Sequence, residues 1–74
     1  MYLLSQMNPG ESAFIVKVNA KGSMRRRLLD IGFIKGSKVD FIMNSPFGDP
    51  TAYFVRGTLI ALRKEEANQI EIGA

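Results

Sequence analysis

The chain has 74 residues, a net charge of +3, 46% apolar and 23% charged side chains, and neither cysteine nor histidine. A chain of this length holds one small domain, residues 1–74, whose core buries only about 60% of the unfolded surface. Without those two residue types there is no disulfide, no thiolate or imidazole zinc site, no Ser-His-Asp or Cys-His catalysis, and no histidine switch near neutral pH.

The opening residues, MYLLSQMNPGES, lack a basic start and a long apolar stretch, which argues against a signal peptide and for an intracellular protein. No apolar run exceeds four residues, so no segment can cross a bilayer as a helix. Asn8-Pro9-Gly10 is a turn, and in residues 11–19 Phe14, Val16 and Val18 alternate with Ile15 and Lys17 at the period of a strand. Ser23 is positioned to cap a short helix over residues 24–31, with Met24, Leu28 and Ile31 on one face. Gly32 stands where a helix end favours positive φ.

Lys35-Gly36-Ser37 turns the chain into residues 38–44, where Val39, Phe41 and Met43 share an inner face. Ile42 falls on the polar face with Lys38, Asp40 and Asn44. The segment SPFGDP, residues 45–50, is an exposed loop in which Asp49 supports its own turn. TAYFVRG and TLIAL read as two strands joined through Gly57, residues 63–68 as one helical turn stopped by a left-handed Asn68, and QIEI as a last strand. Five short strands hide their edges most simply by curling up. The expected fold is mainly β: a small five-stranded barrel with one short helix after the first strand and a helical turn before the last.

The charge is local. Residues 21–40 carry six basic side chains against two acidic ones, whereas residues 41–74 are slightly acidic. Arg25, Arg26 and Arg27 fall in the first turn of the expected helix, where cations are disfavoured by about 0.3–1 kcal/mol each, and Asp30 falls near its unfavourable end. Such breaches of local rules are expected at binding sites, and an arginine fork suits carboxylate or phosphate. The bland reading is that arginine stems merely lie over the barrel. Phe47, at the tip of a polar loop, is either an anchor for a partner or a lid folded over the barrel end. Glu65, Glu66 and Glu71 are too few and too solvent-facing for a metal site. Nucleic acid is the rival partner, but Phe14, Phe41 and Phe54 look like core and are not interleaved with the cations, as a stacking groove requires.

The runs RRRLLDIGFIKGSKV (residues 25–39) and SPFGDPTAYFVRGTLIALRKEEANQI (residues 45–70), with the earlier PGES, resemble the FeoA family of ferrous iron transport protein A domains. The resemblance covers about residues 3–73. It implies an SH3-like barrel and a cytoplasmic accessory role in bacterial ferrous iron uptake, through contact with the FeoB membrane transporter and its cytosolic GTP-binding domain. Transition metal ion binding is a family-level term, but no cofactor, no catalytic residue and no metal ligand is expected here, and the oligomeric state is open. The motif positions are Arg27, Leu28, Leu29, Asp30, Gly32 and Phe33, then Gly48, Asp49, Pro50, Arg56, Gly57, Ala61, Leu62 and Arg63. Lys35 departs from the family, which commonly has proline there. Similar domains end metal-dependent repressors of the DtxR type, whose DNA-binding part does not fit in this length. The expected partner contacts are Arg25, Arg26, Arg27, Asp30 and Phe47, facing the cytosolic part of the transporter with no insertion into the membrane. A small nucleic-acid-binding barrel is the alternative.

Overall fold

In the computed structural model, which describes residues 2–73, six antiparallel strands and two short helices follow the expected order with one addition at the start. They are β1 (Tyr2–Leu3), a 3-10 turn (Leu4–Gln6), β2 (Ser12–Val18), α1 (Gly22–Ile31), β3 (Lys38–Asn44), β4 (Thr51–Val55), β5 (Thr58–Leu62), α2 (Lys64–Ala67) and β6 (Ile70–Gly73). The unexpected strand β1 has only two residues and pairs Tyr2 with Ile72 and Leu3 with Glu71. So short a run has no detectable alternation.

The strands form one curled sheet in the order β1-β6-β2-β3-β4-β5. Its inner face and the apolar side of α1 enclose Leu4, Ile15, Leu28, Phe33, Val39, Tyr53, Val55, Leu62, Ile70 and Ile72, each at most 2% exposed. Phe41 meets Tyr53 edge to face, with ring centres 5.8 Å apart. Contrary to the expectation that curling hides the edges, β5 pairs with β4 alone among the described residues and keeps one free edge.

Two bulges break simple alternation in the strands. In β2 the buried residues are Ala13 and Ile15, and then Val18, because the register with β6 shifts between Ile15 and Lys17. Phe14 therefore faces out. In β3 the register with β4 shifts between Phe41 and Met43, so Val39 and Phe41 are buried while Met43 is exposed. Phe54 also lies outside, which corrects the reading of Phe14 and Phe54 as core.

The β4–β5 hairpin turns on two residues, Arg56 and Gly57, both at positive φ (+49° and +78°), the backbone of the turn that suits strand twist. The Arg56 stem lies over Gly32, where a built Cβ would come within 2.9 Å of its Cδ. Gly32, at φ +128°, thus answers two demands: the left-handed end of α1 and the close approach of Arg56.

Candidate functional site

The helix carrying the arginines begins at Gly22 with no side-chain cap, not at a cap supplied by Ser23. Arg25, Arg26 and Arg27 are consequently its fourth to sixth residues, beyond most of the dipole penalty, which fades within the first turn. The helix dipole therefore does not single them out, and their hydrogen bonds sort them instead. Arg25 donates from Nη1 to the Val18 carbonyl at 2.7 Å, tying α1 to the end of β2. Arg27 forms an ion pair with Glu66 of α2. Arg26 has no hydrogen-bond or ion-pair partner among the described residues, and Asp30 is exposed near the end of the helix.

Glu66 was expected to face solvent but is buried. One of its oxygens takes Arg27, and the other accepts the Arg63 N–H at 3.0 Å at the start of α2. Burying that carboxylate is tolerable because both oxygens are satisfied, one of them by a cation. Asp49 likewise does not serve its own turn: its Oδ1 accepts the Lys64 N–H at 2.8 Å and so caps α2 from across the β3–β4 loop. Asn68 follows α2 in right-handed geometry (φ −64°), not as a left-handed stop. Four residues of α2 therefore receive α1 through Arg27 and the β3–β4 loop through Asp49.

That loop is closed by its own backbone. Ser45 N–H donates to the Pro50 carbonyl at 3.0 Å and Gly48 N–H to the Ser45 carbonyl at 2.9 Å. Phe47 stands at its tip, 95% exposed, so it is not a lid over the barrel end. The hydrogen bonds of the described residues join this loop to α2 but not to α1, so Phe47 and the arginines lie on separate elements that share one support.

Sequence reasoning missed a second set of exposed residues. On the outer face of the sheet, Phe54 lies opposite Leu59, and Ala52 lies opposite both Met43 and Ala61. Ile42, Met43, Phe54 and Leu59 are all exposed. The four-residue apolar run at Leu59–Leu62 was the available signal, since an edge strand with a buried face should alternate. Beside it a groove of about 230 Å³ is lined by Met43, Pro46, Pro50, Ala52 and Ala61. Inside the barrel, burial raises the Tyr53 phenol above its ordinary pKa, opposed by a hydrogen bond with Thr51 and reinforced slightly by the Asp49 charge. Among the described residues no three His, Cys, Asp or Glu side chains gather in a way that could hold a metal ion.

A single curled sheet of six antiparallel strands with two short helices defines a small SH3-like domain. The model of the FeoA domain matches residues 2–73, and the chain belongs to the FeoA family. It is 35% identical over 69 residues to a Porphyromonas gingivalis Fe(2+) transport protein A/Fe(2+) transporter FeoB fusion protein, covering 93% of this chain but 8% of the fusion. It is 32% identical to a Campylobacter jejuni protein that carries the name Fe(2+) transport protein A, covering 93% of each. Among solved structures, the zinc-complexed FeoA of Stenotrophomonas maltophilia, described as a procaryotic SH3 domain protein, superposes with a TM-score of 0.86 at 32% identity, covering 97% of this chain and 89% of that one. A manganese-dependent transcriptional repressor has the same fold over 99% of this chain and 36% of its own, at a TM-score of 0.88 but only 17% identity.

Proposed function

We propose that this chain is a cytoplasmic accessory protein of ferrous iron uptake that acts by binding the cytosolic part of a FeoB-type transporter. The observation that carries the reading is the Porphyromonas gingivalis fusion, in which a domain 35% identical to this chain is named as one polypeptide with the transporter. Covalent linkage keeps two modules at high effective concentration, which is useful where they work on each other. No helix of the described residues is long and apolar enough to cross a membrane, in keeping with a domain that meets its partner from one side.

Arg26, Asp30 and Phe47 are the contacts in this proposal, because no polar bond ties Arg26 down and Phe47 is almost wholly exposed. Arg25, held on a neutral carbonyl, contributes positive field from a fixed position, whereas Glu66 offsets the charge of Arg27. An electrostatically guided encounter of this kind weakens as salt screens it. The nucleic-acid alternative gains Phe14, which is exposed and lies opposite Lys38. Asp40, 3.8 Å from Lys38 and opposite Phe54, offsets that cation and works against a phosphate path.

The test is a calorimetric titration of this chain into the purified full-length transporter of the same organism at two salt concentrations. Saturable binding that weakens at higher salt is the expected result. Absence of binding by a folded chain, together with salt-sensitive affinity for RNA or DNA, overturns the reading in favour of the alternative.

A further inference from the structure

We infer that the free edge of β5 is a second docking site, which takes an extended, acid-flanked apolar segment of another protein as an added strand. The inference stands apart from the transporter reading, because it uses none of Arg26, Asp30 and Phe47.

Among the described residues, the β5 backbone is unpaired on one side. Val55 and Thr58 close the two-residue hairpin, and the register continues without a shift to Thr51 opposite Leu62. In such a ladder alternate residues turn their N–H and C=O toward the partner strand. Thr58, Ile60 and Leu62 face β4, so Leu59 and Ala61 aim theirs at the open side. Neither takes part in any backbone bond outside the ladder among the described residues. Natural edges are blunted by proline, by charge or by a bulge, yet Thr58–Leu62 has no proline, no charged residue and no register shift.

Leu59 is 61% exposed and sits opposite Phe54, and Met43, Ala52 and Ala61 line one groove with Pro46 and Pro50. An added strand would set alternate apolar side chains over Leu59 and into that groove.

Charge selects the occupant. Arg56 precedes β5 and Arg63 and Lys64 follow it, all exposed. Were a second copy to add antiparallel with Leu59 opposite Ala61, its Arg63-Lys64 end would lie beside the Arg56 turn of the first copy, and the reverse. Cations would gather at both ends of the pair, and like charges repel. A strand with acidic ends is complementary instead. Glu65 lies further on, in α2, and Asp49 is already engaged with the Lys64 N–H, so Arg56 and Arg63 dominate the two ends.

The test uses the full chain, labelled with nitrogen-15, and two synthetic peptides of alternating valine and threonine, one ended by glutamates and the other by lysines. The glutamate-ended peptide is expected to give saturable shifts and slowed exchange at the Leu59 and Ala61 amides. The lysine-ended peptide should bind about tenfold more weakly or worse. Ala61→Pro, which removes an outward N–H, should abolish the effect. Leu59→Glu, at an exposed position that does not threaten the fold, should weaken glutamate-peptide binding by about the same factor. No saturable shift at Leu59 and Ala61, equal affinity for both peptides, or dimerisation of the chain through β5 overturns the inference.

Discussion

Around α1, most of the suspected cations are committed to the fold. Arg25 holds the Val18 carbonyl and Arg27 holds the buried Glu66, leaving Arg26 without a polar partner. Across the outer face of β3–β5, by contrast, Ile42, Met43, Phe54 and Leu59 are exposed on strands that already have their inner core. The difference teaches that an arginine triplet in sequence is not three binding residues. Two of the three act as internal ties, and Glu66 offsets the charge of one of them. The bare apolar face makes no contribution to net charge, and its exposed side chains are not used by the inner core.

Leucine, present in both regions, separates them most strongly. Leu28, fully buried on α1, should lose about 2–5 kcal/mol of stability on change to alanine. Leu59→Ala, at a position 61% exposed, should stay within about 0.5 kcal/mol in the same urea titration. Next in size is Gly32→Ala, where the end of α1 meets the β4–β5 turn. The φ of +128° and the crowded Arg56 stem should together cost about 1–3 kcal/mol. In a double-mutant cycle with Arg56→Ala, only the crowding part should be recovered, because the backbone strain persists.

Within the triplet the effects are smaller and sharper. Arg27→Ala strips Glu66 of its cation and should cost about 1 kcal/mol, since Arg27 keeps about half of its side chain in water. Arg26→Ala should leave the melting temperature within error, near the ordinary limit of about 0.5 kcal/mol for surface changes. The smallest effect is alkaline. Because burial raises Tyr53 in the folded state, the unfolded chain releases that proton first as pH climbs through about 10. Its contribution is therefore constant at lower pH and declines above that point. Tyr53→Phe should flatten part of the decline in stability measured between neutral and strongly alkaline pH.

The legible parts of the molecule were those governed by local chemistry. The hairpin at Arg56-Gly57, the stop at Gly32 and the closed loop around Phe47 follow from turn residues, and QIEI gave its buried isoleucines directly. What escaped depends on partners far away in sequence. The bulges in β2 and β3 are properties of strand pairs, so the exposure of Phe14 and Met43 had no local sign. The Arg27–Glu66 pair spans 39 residues and the Asp49 cap spans 15, and both became visible only once α2 had a position. Strand and turn pattern pointed to a small barrel, family resemblance made it SH3-like, and the division between tying and uncommitted arginines is visible only in the folded structure.

In the proposed complex Arg26 and Phe47 meet the partner, while Arg27 stays with Glu66. The direct measurement is the affinity of the full-length FeoB-type transporter for the unaltered chain and for an Arg26→Glu, Phe47→Ala double variant, with melting curves recorded for both. A loss of affinity of about tenfold or more, with the melting temperature unchanged, is the predicted result. Equal affinity for the two chains would contradict it.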